Sequence, residues 1–150
     1  MSQPDPEEIR RLYQARFNHH RGYREAIWQI LTREFFQRFV RDQDTVLDLG
    51  CGYGEFIRQI HCRRKLALDL NPDAPQYAGP GVECLVHDCT QTWPVPDRSL
   101  DVIFTSNFFE HLPDKPALRN TLAQGHRCLR PGGRLIALGP NLKYLPGAYW

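Results

Sequence analysis

The segment Thr45-Val46-Leu47-Asp48-Leu49-Gly50-Cys51-Gly52-Tyr53-Gly54 constrains this chain more than any other, because it reads as a buried strand running into a glycine-rich turn. Thr, Val and Leu suit a parallel strand covered on both faces. Gly50, Gly52 and Gly54 let the backbone turn tightly and approach a ligand where a Cβ would collide. Phe56, Ile57 and Ile60 follow at spacings that fit one face of a helix. A ligand would therefore lie between the end of the strand and the N-terminus of the helix. Taken alone, the turn has a competing reading in which its glycines serve the backbone only.

Two more strand ends point to the same place. Lys65-Leu66-Ala67-Leu68-Asp69 reads as a second strand closing on an acid, 19 residues after Gly50. A carboxylate there can accept hydrogen bonds from both hydroxyls of a ribose. Val82-Glu83-Cys84-Leu85-Val86 reads as a third strand and delivers His87-Asp88-Cys89, with Asp88 placed to accept from an adenine amino group. The three strand ends converge on one adenosine.

With these residues the chain resembles the class I, Rossmann-like S-adenosylmethionine-dependent methyltransferases over roughly residues 41–141. The family's first motif, a strand, an acid and a Gly-x-Gly-x-Gly turn, stands here as Val46 to Gly54. Asp69 and Asp88 match the acids that close its second and third strands. Leu100-Asp101-Val102-Ile103-Phe104-Thr105-Ser106-Asn107 looks like the fourth-strand motif. Cys128-Leu129-Arg130-Pro131-Gly132-Gly133-Arg134-Leu135 looks like the helix end, proline-glycine turn and fifth strand.

The resemblance implies an α/β fold with a doubly wound, mainly parallel sheet. Residues 1–41 would form an N-terminal helical extension and residues 42–150 the S-adenosylmethionine-binding domain. The implied cofactor-binding set is Asp48, Gly50, Cys51, Gly52, Gly54, Asp69, Leu70, Asp88, Cys89, Ser106 and Asn107. The family's sheet has seven strands, of which the last two form an antiparallel hairpin, and five are legible here. The expectation is a chain that is C-terminally incomplete, with a partner chain or a missing segment covering the edge of strand five.

A nicotinamide dinucleotide is the rival cofactor, but its fingerprint is G-x-G-x-x-G/A rather than the G-x-G-x-G found here. Asp48, just before the turn, would repel a pyrophosphate and suits the cationic amino group of a methionine moiety.

Composition fits one globular domain: 150 residues, 41% hydrophobic and 24% charged. The formal charge of +2 gives no case for nucleic acid, and the Arg63-Arg64-Lys65 cluster reads as solvated surface. Five cysteines, Cys51, Cys62, Cys84, Cys89 and Cys128, offer neither a C-x-x-C pair nor an even count, so reduced thiols are expected. No apolar run approaches the ~20 residues of a membrane span, and the N-terminus lacks a basic and apolar leader. A cytoplasmic protein is the expectation.

Along the chain, Asp5-Pro6-Glu7-Glu8 carries helix-start signals, with Ile9, Leu12, Tyr13 and Phe17 on one face. After Asn18-His19-His20-Arg21-Gly22 a second helix is predicted to run to about Val40, with Ile27, Leu31, Phe35 and Phe39 at steps of four and Trp28 and Phe36 beside them. His19 and His20 between the two read as solvent-exposed, with substrate contact as the alternative. Prolines and glycines over residues 71–81 predict a loop with at most a helical turn. Trp93 reads as a core plug. Asp114 should start a helix through Leu118, Leu122 and Leu129 that Pro131-Gly132-Gly133 stops before strand five, Leu135–Leu138.

Near the transferred methyl the candidates are Ser106, Asn107, Glu110 and His111. His111 can serve as the base, since an imidazole accepts a proton near neutrality, or Glu110 and His111 can simply cap and orient their loop. Some methyltransferases hold a divalent metal with Glu-x-x-Glu-His here; Asn107 in the first position removes one ligand, so no metal is expected. Two functions follow: a methyltransferase for a small-molecule, sugar or lipid-like acceptor, or a cofactor-binding or partner-binding remnant without chemistry.

Overall fold

Strand β1 (Thr45–Leu49) is buried along its whole length, as Thr, Val and Leu require when both faces of a sheet are covered. The computed structural model, which describes Asp5, Glu7, residues 21–141, Lys143 and Tyr144, places β1 at the centre of a five-stranded sheet. β2 (Arg64–Asp69) and β3 (Val82–Val86) lie on one side, and β4 (Leu100–Ser106) and β5 (Leu129–Leu138) on the other. The order is β3-β2-β1-β4-β5 and every neighbouring pair is parallel. This is the expected Rossmann-like, doubly wound architecture. The chain winds outward from β1 to β3 and then returns to β4, so the order reverses between β1 and β4 and a crevice opens beyond their carboxyl ends.

Helices cover both faces. α1 (Arg21–Ile30), α2 (Glu55–Gln59) and α3 (Ala74–Ala78) follow in chain order, and α4 (Lys115–Cys128) precedes β5. One core layer gathers Phe36, Val46, Phe56, Ile57, Ala67 and Phe104, with Trp28 and Leu31 packed on it. The other gathers Leu47, Leu49, Leu68, Trp93 and Ile103. Phe56, Ile57 and Ile60 are all buried, as the helical face after the glycine turn predicted. The second crossover holds only the five residues of α3.

Three elements differ from the sequence reading. The second helix is not regular to Val40: a π-helical turn, Leu31–Phe35, and a 3₁₀ turn, Phe36–Phe39, follow α1. The row that faces the sheet is Trp28, Thr32, Phe36 and Val40, while Ile27, Phe35 and Phe39 are exposed. On α4 the buried stripe is Ala117, Thr121, Gly125 and Cys128, with Leu122 exposed. Trp93, 2% exposed, fills the space between that helix and the sheet, so small residues face it. Strand β5 begins at Leu129, which pairs with Leu100; pairing resumes at Arg134 opposite Val102. The Pro131-Gly132-Gly133 turn is thus an excursion inside the strand, from which Arg130 reaches the Asp101 carboxylate.

Apart from Asp5 and Glu7, the helix expected over the first residues lies outside the described residues, as do His19 and His20. Glu7 N donates to Asp5 Oδ1 at 3.0 Å, the contact expected of an N-cap acid.

Phe104 ties the helical extension to the sheet: its ring stacks on Phe56 with centroids 3.7 Å apart and meets Phe36 and Trp28 edge-on. Phe104→Ala is expected to cost about 3–5 kcal/mol of unfolding free energy in a urea titration. A loss below about 1 kcal/mol would show that this stack is not what anchors the extension.

Candidate cofactor site

The turn after β1 is built from glycines in the left-handed region: φ is +68° at Gly50, +53° at Gly52 and +66° at Gly54. A Cβ on Gly54 would stand 2.9 Å from Ala78 Cα, and one on Gly50 2.3 Å from the Phe108 ring. Gly50 N donates to Leu68 O, and Gly54 N to Cys51 O, each at 2.8 Å. Gly52 N donates to Asp69 Oδ2 at 2.8 Å. The acid that ends β2 therefore fixes the turn that ends β1.

Asp69 is buried, and its other oxygen accepts from Asn71 N at 2.8 Å. Both of its oxygens thus accept from backbone N–H groups, one from each of the segments that follow β1 and β2. Leu70, next to it, exposes an apolar side chain at the end of β2. After β3, Asp88 Oδ1 accepts from Thr90 N and Thr90 Oγ1 in a local turn. Cys89 is buried in the core layer of Trp93, and its carbonyl accepts from Trp93 Nε1 at 2.7 Å.

Asp48 sits at the base of the crevice, in register between Ala67 of β2 and Phe104 of β4. Burial first, and then the neighbouring Asp69 charge, push its carboxyl well above the usual carboxylate range; a backbone hydrogen bond from Ile57 opposes them. Both carboxylates that act on it, Asp69 and Glu55, raise it. Such a position is stabilised by a cation and destabilised by a phosphate. The Cys51 thiol is pushed up by its hydrogen bond to the Cys84 thiol, by burial and by the two acids, so it stays neutral.

On the far side of the crevice, Ser106 ends β4 and Asn107 follows at φ +47°. Asn107 N donates to Leu138 O at 2.9 Å and its side-chain amide to Ser106 Oγ at 3.2 Å. Glu110 and His111 lie on the 3₁₀ turn Phe109–His111, the first half-buried and the second exposed. Ends of β1, β2, β3 and β4 thus bring the expected residues to one rim, whereas the thiols of Cys51 and Cys89 point into the core layers. Two contacts were not foreseen. Thr105 Oγ1 donates to Leu49 O at 2.9 Å across the crevice floor, and Phe108 lies on Gly50. Nothing local to Thr105 or Phe108 in the sequence signals either contact.

The arrangement brings three acids, Asp48, Asp69 and Asp88, to the carboxyl ends of β1, β2 and β3 beside a glycine turn. The family model for the methyltransferase domain matches residues 47–137. The chain belongs to that family. Phosphoethanolamine N-methyltransferase 1 of Arabidopsis thaliana is 32% identical over 116 residues, which cover 70% of this chain and 23% of the relative. Malonyl-[acyl-carrier protein] O-methyltransferase of Serratia marcescens is 36% identical over 98 residues, 62% of this chain and 37% of the relative. This methyltransferase domain thus spans less than two fifths of the length of either relative. A solved chain from the complex between the Haloferax volcanii Trm112 methyltransferase activator and a methyltransferase superposes with a TM-score of 0.65 at 26% identity. The match covers 83% of this chain and 58% of that one.

The raised Asp48 carboxyl has a consequence for stability. An acid that holds its proton more tightly when folded carries no penalty below its unfolded value of about 3.9; the penalty grows as pH rises above that value and levels off once pH passes the raised folded value. Asp48→Asn is therefore expected to raise Tm near neutrality, with the gain vanishing towards pH ~4. Thermal unfolding across that range checks it; a gain independent of pH would show that Asp48 ionisation is not its source.

Proposed function

We propose that residues 42–150 form the cofactor-binding domain of an S-adenosylmethionine-dependent methyltransferase acting on a small-molecule, sugar or lipid-like acceptor, with residues 1–41 as a helical extension. The observation that carries this reading is Asp48, a buried acid at the crevice floor surrounded by groups that favour a cationic ligand. In this reading Asp48 faces the methionine ammonium, and Gly50, Gly52 and Gly54 give the ligand close approach. Asp69 accepts from the ribose, Leu70 covers the adenine and Asp88 accepts from its amino group. Cys51 and Cys89 contribute backbone groups, because their thiols face the core. Ser106 and Asn107 line the methyl end.

When bound, the cofactor supplies an electrophilic sulfonium methyl open to in-line attack by an acceptor atom. The chain's residues orient the two partners, and alignment of this kind is worth on the order of 7–11 kcal/mol. A general base adds about 10²–10⁴-fold, and His111, exposed at the rim, is our candidate for that role. The two curated relatives methylate nitrogen in one case and oxygen in the other, as their names state, so they support the reaction class rather than one acceptor atom. Five free cysteines fit a reducing, cytoplasmic setting, and among the described residues no helix is long and apolar enough to cross a membrane.

One observation bears on the partner-binding part of the alternative reading. The outer edge of β5 is unpaired among the described residues and exposes Leu135 and Leu138. A partner chain or further segment would cover it, and the Haloferax match from an activator complex supports the idea of a partner.

Calorimetric titration with S-adenosylmethionine and S-adenosylhomocysteine tests the cofactor site. Wild type is expected to bind both, with Asp69→Ala and Gly52→Val each weakening binding by about 10- to 100-fold. Unchanged affinity in both variants would place the ligand elsewhere. Methyl transfer to any member of an acceptor panel would sink the remnant reading, and binding without transfer would support it.

A further inference from the structure

A glycine-flanked peptide is easily rotated, because glycine adopts both signs of φ at little cost. Tyr53 lies between Gly52 and Gly54, both at positive φ, so the two peptides of Tyr53 need an external lock if the turn is to keep one shape. Asp69 holds the peptide that precedes them, between Cys51 and Gly52, by accepting from Gly52 N. The peptide between Tyr53 and Gly54 is held on its N–H side by Cys51 O, and on its carbonyl side by a group of the opposite charge to Asp69.

Arg58, on α2, turns its guanidinium back onto the turn. Nη1 donates to Tyr53 O at 2.5 Å and to Tyr77 O of α3 at 2.6 Å. Nη2 lies 3.5 Å from Glu25 Oε1 of α1. The stem of Arg58 packs so closely on the residue after α3 that a Cβ on Gly79 would meet its Cδ at 3.2 Å. The Tyr53 and Tyr77 rings meet with centroids 4.4 Å apart, on the same two segments that the guanidinium joins. The side chain is only 25% exposed, so these charge-assisted bonds are not freely exchanged with water.

We propose that Arg58 is a positioning residue of the cofactor turn, holding the Tyr53 carbonyl so that the peptide between Tyr53 and Gly54 keeps its binding orientation before a ligand arrives. The inference rests on the cofactor reading above. Arg58 need not touch the ligand. It acts through the backbone, as an anion and a cation grip alternate peptides of one turn, Cys51–Gly52 and Tyr53–Gly54. Preorganisation of this kind removes ordering cost from binding.

The test uses Arg58→Met, which keeps an apolar stem beside Gly79 but removes the donors, and Arg58→Lys, which restores a charged donor. In the ligand-free protein, amide hydrogen exchange at Gly52, Tyr53 and Gly54 is expected to quicken about tenfold in Arg58→Met, while β1 and β4 keep wild-type protection. S-adenosylhomocysteine affinity should fall about tenfold in the same variant, and Arg58→Lys should recover part of both effects. Exchange at the turn that stays at the wild-type rate would overturn the proposal. So would a rise shared equally by the core strands, which marks a purely structural loss, or an affinity within about twofold of a wild type that binds. A wild type that binds no S-adenosylhomocysteine would overturn the cofactor reading instead, and the exchange rates would still decide whether Arg58 orders the turn.

Discussion

The N–H of Gly52 and the carboxylate of Asp69 meet at 2.8 Å, and through that contact the end of β2 shapes the turn at the end of β1. Three positive-φ glycines give the chain the curvature to leave β1 and start α2 within five residues, at a cost in conformational freedom that ordinary side chains would not carry. A turn so permissive has no preferred shape of its own. Its shape is imposed by neighbours: Leu68 O on Gly50 N, Asp69 on Gly52 N, and the α3 backbone against Gly54. The parallel register of β1 with β2, which sets Leu49 beside Leu68, is what delivers Asp69 to the turn.

The same register concentrates negative charge. Asp48 and Asp69 lie at the ends of adjacent strands, and burial first and then the Asp69 charge raise the cost of ionising Asp48. A fold optimised only for stability would place an apolar residue at Asp48, between Ala67 and Phe104. Keeping an acid there makes sense where a cationic group arrives to offset it, so the site's electrostatics and its stability cost have one origin.

How much of this was legible in the sequence depends on the range of the interaction. Val46, Leu47 and Leu49, the three glycines and the acids Asp69 and Asp88 announce themselves locally, through apolar runs that end at glycine or at acid, and the sheet confirms each strand. Helix phase was harder. A regular helix through Ile27, Leu31, Phe35 and Phe39 presents one row, but the neighbouring row Trp28, Thr32, Phe36 and Val40, also at steps of four, is the one that faces the sheet, and the pattern of apolar residues does not tell the two apart. On α4 the leucines looked like the inner face until Trp93 occupied that volume and left room only for Gly125 and its small neighbours. Arg58, Thr105 and Phe108 carry no local pattern at all, since each acts on backbone brought close by the fold.

Phe108 shows how far that tertiary logic extends. Its ring lies against Gly50, where any Cβ would collide with it, so the loop after β4 rests directly on the cofactor turn. The loop reaches that position because Asn107 takes a left-handed φ, which asparagine tolerates better than most residues. The Asn107 N–H is held in turn by Leu138 O, the last residue of β5. Contacts therefore run without a gap from the β5 end through Asn107 and Phe108 to Gly50. The exposed edge strand and the loop that rests on the glycine turn are thus joined by one continuous run of contacts.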